Sequence, residues 1–262
     1  MTIRDDDLDR AITAAREAGD LLLRHYRDRG RLTVNSKRAG DFVSEADLAA
    51  EAHLRHALQQ DGDGWLGEET EPLPGDRRWV VDPLDGTTNF LRGIPHWCVS
   101  VGLEVDGRPL LGVVHDPLRD ETFAAAPGQG MRLNGAKVGL AGTEVLSSAL
   151  FGTGIPFGSM AGIEDHAADI ARLMPHCAGV RRMGAAALDL AWVAAGRLDG
   201  FWERRLRPWD IAAGLAMLAA AGAVVEGLGP EEEPWATGTV LTATPKLFAP
   251  FARLIRGGGP SW

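Results

Sequence analysis

Trp79-Val80-Val81-Asp82-Pro83-Leu84-Asp85-Gly86-Thr87-Thr88-Asn89-Phe90 is the stretch on which the reading turns. Its first three residues are a short apolar run of the kind buried inside a sheet. Proline has no amide to give a ladder, so a strand is expected to stop at Asp82-Pro83. A strand ending there leaves the carboxylates of Asp82 and Asp85 and the carbonyl of Leu84 pointing to one spot. Gly86 then allows a sharp turn, and two hydroxyls follow. Hard cations such as Mg²⁺ want an oxygen-only set of this kind, and amides after a glycine turn can cradle a phosphate oxygen. Taken by itself, a plain polar turn accounts for the same residues.

Working outward, Leu8, Ile12, Ala15, Gly19, Leu22 and Tyr26 recur at helical spacing. Ser44-Glu45-Ala46-Asp47 matches a capping box and starts a second helix, with Leu48, Ala52 and Leu58 expected to face inward. Downstream, strands are expected at 97–105 and 110–114, joined by the hairpin signal Asp106-Gly107, with another at 121–125 and a tight turn at Asn134-Gly135. From about Ser147 the pattern changes. Strands at 149–154, 198–202, 223–225 and 240–243 alternate with helices at 163–173, 184–195, 208–221 and 246–255. Pro208 and Asp210 fall at the start of one of these helices, where both are favoured. A mixed α+β and α/β layered fold is expected. Its first part is expected to be 1–145, with the candidate metal-binding loop at Asp82–Asp85, and its second 146–262.

Bulk properties narrow the function. The chain has 262 residues, 45% hydrophobic and 24% charged, enough for a full core. The apolar stretch 211–225 is Ala/Gly-rich and too short to span a bilayer, so no membrane association is expected. The opening MTIRDDDLDR is acidic and lacks an apolar targeting core, so a cytoplasmic location is expected. A net charge of −9 argues against binding nucleic acid by bulk electrostatics. It also means that a phosphate substrate would need added cations, which bound metal would supply. Cys98 and Cys177 lie in no CxxC pair and are expected as two buried free thiols. His96, His115 and the other histidines show no metal-ligand spacing and are read as structural or surface residues. No GxSxG or other covalent nucleophile signature is present.

Two further acidic signals flank the central one: Gly67-Glu68-Glu69 before it and Pro208-Trp209-Asp210 far after it. Alone, the first is a solvated loop and the second a helix cap. In this order, with DPLDGTTNF between them, the three resemble the inositol monophosphatase family, within the superfamily of Mg²⁺-dependent, Li⁺-sensitive phosphatases. The resemblance extends over nearly the whole chain. It implies a five-layer α-β-α-β-α sandwich and two to three Mg²⁺ per active site. Glu68, Asp82 and the Leu84 carbonyl would hold the first metal. Asp82, Asp85 and Asp210 would hold the second, and a weaker third would sit near Glu68, with Lys37 close by.

The same resemblance makes Glu68, Thr87 and Asp47 the candidate catalytic residues, Thr87 bonding the attacking water with Asp47 behind it. Asp47 is thus both a capping-box acid and a candidate partner in catalysis. Substrate contacts are implied for Gly86, Thr87, Gly184, Ala185, Ala186, Glu203 and Asp210. Ala185 stands where the family has Thr, so one expected hydroxyl contact is missing. Arg204, Arg205 and Arg207 would be solvent-facing, at the pocket mouth or at a subunit interface. The implied activity is hydrolysis of a small phosphate monoester, inositol 1-phosphate first, by a homodimer. Alternatives are a histidinol-phosphate, fructose 1,6-bisphosphate or 3′-phosphonucleotide phosphatase, or a regulatory binding protein of the transcription machinery. Thr88, where histidinol-phosphate phosphatases more often carry Lys, favours the inositol phosphate side.

Overall fold

The computed structural model describes residues 3–31, 33–38, 41–155, 162–229 and 232–257. Helix α1 (Asp7–Arg27) precedes a hairpin of β1 (Val34–Arg38) and β2 (Asp41–Ser44), and α2 (Glu45–Leu58) follows. A seven-stranded sheet is then laid down in chain order: β3 (Gly64–Gly67), β4 (Arg77–Asp85), β5 (Cys98–Val105), β6 (Arg108–Asp116), β7 (Glu121–Ala126), β8 (Gly130–Leu133) and β9 (Ala136–Lys137). The short helix α3 (Thr87–Arg92) lies between β4 and β5. β3 pairs parallel to β4, and the remaining neighbours pair antiparallel as a meander.

The rest of the chain runs β10 (Leu150–Thr153), α4 (Ile163–Leu173), β11 (Gly179–Arg181), α5 (Ala186–Ala194), β12 (Gly200–Glu203), α6 (Pro208–Ala221), β13 (Val224–Glu226), α7 (Pro234–Thr237), β14 (Val240–Ala243) and α8 (Pro245–Ile255). Its strands form a five-stranded mixed sheet in the order β11-β10-β12-β14-β13.

Three apolar clusters hold five layers together. The first joins α1 and α2 to one face of the large sheet, through Leu22, Leu54, Trp79 and Trp97. The second lies between the large sheet's other face and α5 and α6, which also cover the small sheet, and contains Phe123, Leu190 and Phe201. The third packs α8 on the small sheet, with Phe151 and Phe251 stacked at 4.3 Å. The order is the expected α-β-α-β-α sandwich. Helices on both faces leave every residue of β5 buried, which is why the central strands read as continuous apolar runs. Among the described residues no helix is long and apolar enough to cross a membrane.

Three local expectations are corrected. β4 does not stop at Asp82-Pro83 but continues to Asp85, with a register shift between Asp82 and Asp85 against β5. Pro83 falls inside this irregularity, where no ladder amide is required. On α2, Leu48 and Ala52 face outward, and the inner face is Ala46, Asp47, Ala50, Glu51, Leu54 and Leu58. Two acids on that face hid its true direction. Cys98 is buried as expected, but Cys177 is only half-buried.

Candidate active site

The three acidic signals converge where the large sheet meets α5 and α6. Glu68 follows β3, and its amide donates to the Val81 carbonyl at 3.2 Å, which sets it beside the end of β4. Asp82 is buried, and its Oδ1 accepts the Leu84 amide at 3.0 Å. Asp85 Oδ2 accepts the Ala187 amide at 2.8 Å and the Cys98 thiol at 3.8 Å. Asp210, at the third position of α6, accepts the Arg207 amide at 2.6 Å.

These carboxylates share one electrostatic field. Burial pushes Asp82 well above the usual carboxylate range, and Glu68, Asp85 and Asp210 push it further. Asp210 is raised likewise by burial and then by Asp85, against the lowering bond from the Arg207 amide. Burial raises Asp85 to about 7, with Asp189 and Glu68 adding to the effect while the Ala187 amide and His96 oppose it. Among the described residues no three Asp, Glu, His or Cys side chains already stand in an ion-holding arrangement. The acids repel one another around a common region. Crowded carboxylates with a backbone carbonyl among them form a donor set that fits hard cations.

A second group of oxygens sits beside them. Gly86 has φ +92°, and a Cβ there would stand 3.0 Å from the His96 carbonyl, so the turn into α3 requires glycine. The turn brings the Thr87 hydroxyl to 3.0 Å from the Leu84 carbonyl and 3.3 Å from Asp47 Oδ1. The other oxygen of Asp47 accepts the Ser44 amide at 2.9 Å and the Ser44 hydroxyl at 2.5 Å. The capping box at the start of α2 is therefore present, and the acid that makes it also reaches Thr87. Burial raises the Asp47 pKa, and the Ser44 bonds partly offset that.

Gly184, Ala185 and Ala186 lead into α5, with Ala185 as its buried N-cap residue and no side-chain cap. Glu203 ends β12 and is buried against the backbone of Gly154. Its pKa is pushed well up by burial and by Asp210, Asp189 and Asp85. Lys37 lies in β1, but its side chain falls outside the described residues. Of the arginine run, Arg204 bonds the buried Asp169, whereas Arg205 and Arg207 are exposed.

Several residues that frame the site carry no local sequence signal. Asn89 donates to the carbonyls of His96 at 2.7 Å and Met183 at 2.8 Å, linking the loop of Asp85 to the approach to α5. His96 contacts Asp189 at 3.2 Å, and both are buried. Asn89 lies within the motif quoted first, yet nothing in its neighbours announces a partner 94 residues away.

Known proteins resemble this chain along nearly its whole length. The model of the inositol monophosphatase family matches residues 4–256. An inositol-1-monophosphatase from Rhizobium meliloti is 44% identical over 216 residues, covering 80% of this chain and 81% of that one. Nus factor SuhB from Escherichia coli K12 is 38% identical over 242 residues, covering 90% and 91%. The crystal structure of extragenic suppressor protein SuhB from Bartonella henselae superposes with a TM-score of 0.92 at 36% identity, covering 95% of this chain and 98% of that one. With a family model matched along nearly its whole length, and relatives this similar over four fifths or more of theirs, the chain belongs to the inositol monophosphatase family.

Proposed function

We propose that this phosphatase hydrolyses inositol 1-phosphate to inositol and phosphate with Mg²⁺ bound by Glu68, Asp82, the Leu84 carbonyl, Asp85 and Asp210. The observation that carries the reading is the mutual field of the carboxylates, each raising the proton affinity of another, beside a threonine hydroxyl held by a buried acid. When bound, the metal supplies charge to hold the phosphate and lowers the pKa of a water.

The chain's own residues do the rest. Thr87 has two acceptors for its single proton, Asp47 and the Leu84 carbonyl, so the hydroxyl oxygen is left to accept a hydrogen bond from an incoming water and orient it. Ser44 fixes Asp47 for that task. The turn at Gly86 offers backbone amides to phosphate oxygens. Glu203, with the segment Gly184-Ala185-Ala186, stands on the side where a polyol ring would rest. Phosphoryl transfer depends mainly on positioning and charge stabilisation, so no protein nucleophile is needed.

A phosphate-release assay over inositol 1-phosphate, fructose 1,6-bisphosphate, histidinol phosphate and a 3′-phosphoadenylate, with Mg²⁺ and with EDTA, tests the reading. Preference for a substrate other than inositol 1-phosphate would overturn the substrate assignment. Full turnover in EDTA would overturn the metal assignment. In the same reading the chain acts as a cytoplasmic homodimer, which light scattering after gel filtration checks for the oligomer.

A second reading, a regulatory binding role, is favoured by the relatives named Nus factor SuhB. A partner captured equally by the wild type and by Asp85→Asn supports it, because binding would then not need the chemistry.

A further inference from the structure

One helical turn beyond Asp47, α2 carries a second buried carboxylate. Glu51 is fully buried. Its Oε2 accepts the Glu69 amide at 2.8 Å. Its Oε1 accepts the Thr70 hydroxyl and, at 3.4 Å, the Trp65 indole N–H, which also reaches Thr70 Oγ1 at 3.1 Å. A single carboxylate therefore gathers donors from both sides of Glu68. Gly67 lies directly over it, and a Cβ there would collide with Glu51 Oε1, so a glycine is what lets the loop close onto the acid.

Burying an acid costs free energy unless its oxygens are bonded, and well-packed apolar groups of similar volume often stabilise a fold as well or better. Stability alone gives little reason for a carboxylate here. What it supplies is direction: every bond that Glu51 accepts comes from the segment that carries Glu68. Residues four apart share a helix face. Asp47 on that face holds Thr87, and Glu51 holds the Glu68 loop.

We infer that Glu51 is a positioning residue that aims Glu68 at the metal, and that α2 acts as a common ruler between the Glu68 loop and Thr87. This rests on the reading of Glu68 as a metal ligand.

The test titrates Mg²⁺ alone into wild type, Glu51→Gln, Thr70→Val and Asp47→Asn, following the melting temperature, with phosphate release measured in parallel. Glutamine has one acceptor oxygen and cannot serve both the Glu69 amide and the Thr70–Trp65 pair. Partners that orient a metal ligand are typically worth ~10–100-fold in metal affinity. Glu51→Gln should raise the Mg²⁺ midpoint by about that factor, with kcat largely recovered at saturating Mg²⁺. Thr70→Val, at an exposed position, should shift the midpoint the same way by less, and it decides the matter if Glu51→Gln fails to fold. Asp47→Asn should lower kcat and leave the midpoint in place. Unshifted midpoints in both Glu51→Gln and Thr70→Val, or a melting temperature lowered equally at every Mg²⁺ concentration, overturn the role of Glu51 while leaving the metal site intact. A wild type whose melting and turnover both ignore Mg²⁺ overturns the underlying metal reading instead.

Discussion

The Ala187 amide donates to Asp85 at 2.8 Å, tying the carboxylate at the end of β4 to the first turn of α5, 102 residues further along the chain. A helix start presents free amides and a partial positive charge. Here that charge is spent on an acid that burial would otherwise push higher still. Because the same turn carries Ala185 and Ala186, one helix start serves both the candidate metal side and the candidate substrate side. The two sheets are therefore joined at the site itself.

Asp85→Asn should keep the fold and lose the reaction. Asparagine still offers an oxygen to the Ala187 amide, and one negative charge leaves a crowded cluster. The metal-free melting temperature should hold or rise. Turnover should fall by orders of magnitude if Asp85 holds a metal. Thermal melts with and without Mg²⁺, alongside phosphate release, check both halves. Near-normal turnover would show that Asp85 is not a ligand.

Removing metal should abolish activity, and adding it should stabilise the fold. A ligand at a hundred times its Kd adds about 2.7 kcal/mol to stability, which a melting curve resolves easily. Li⁺ at millimolar concentration should inhibit, since the set Asp82, Asp85 and Asp210 is all oxygen and suits a small hard cation. Turnover unchanged at a hundred-fold excess of Li⁺ over Mg²⁺ would count against that set.

What sequence alone exposes, and what it hides, follows from the range of each interaction. The periodicity of α1, the hairpin at Asp106-Gly107 and the start of α6 at Pro208 are local signals, and each falls where expected. The end of β4 lies beyond the proline because the register shift between Asp82 and Asp85 accommodates Pro83 and pairing resumes at Asp85. Leu48 and Ala52 point the wrong way for the inner face of α2 because Glu51 looks like a solvent-facing acid until its partner, the Glu69 amide, is known. Arg77 is the extreme case. It resembles the surface charge of Asp76-Arg77-Arg78, yet it is 1% exposed between Asp7, 70 residues earlier, and Asp63.

That buried arginine gives a stability test. Arg77 lies 2.6 Å from Asp7 and 2.7 Å from Asp63, with its guanidinium 5.5 Å from the Trp79 ring centroid. Removing one partner leaves buried carboxylates uncompensated, which typically costs about 3–5 kcal/mol. Arg77→Ala should therefore unfold at markedly lower urea. A loss under 1 kcal/mol would mean that Arg4, 3.0 Å from Asp63, and Arg10, 3.5 Å from Asp7, take over the neutralisation.

His115 predicts a pH dependence of stability. It is 4% exposed, with Nδ1 3.0 Å from Thr122 Oγ1. Burial holds its pKa below 6.5 against the backbone hydrogen bond at Glu121, with Arg16 adding to the lowering and Asp120 and Asp116 opposing it. The unfolded chain thus binds a proton that the folded chain refuses. Stability is full above 6.5 and falls as the pH drops from there through the lower folded value, by at most about 1.4 kcal/mol per pH unit for one group. His115→Gln should flatten this slope in urea titrations between pH 7 and 5. Any slope left includes His166, which is shifted the same way.

Glu203→Ala separates substrate recognition from chemistry. Glu203 closes β12 and precedes Asp210 by a loop and the first turn of α6. At 8% exposure, packed on Gly154 and within the field of Asp210 and Asp85, it is no solvated strand-end acid. A carboxylate in that place can accept bonds from ring hydroxyls, and bonds to charged groups are worth about 1.5–3 kcal/mol. An aryl phosphate has no such hydroxyls and would not feel the loss. The expected result is a fall of roughly ten- to a hundred-fold in kcat/KM for inositol 1-phosphate and little change for the aryl ester. Glu203→Gln, which keeps volume and one acceptor, should fall between wild type and alanine. An equal fall for both substrates would place Glu203 among the supports of the metal cluster or of the fold. No fall for either would remove it from the site.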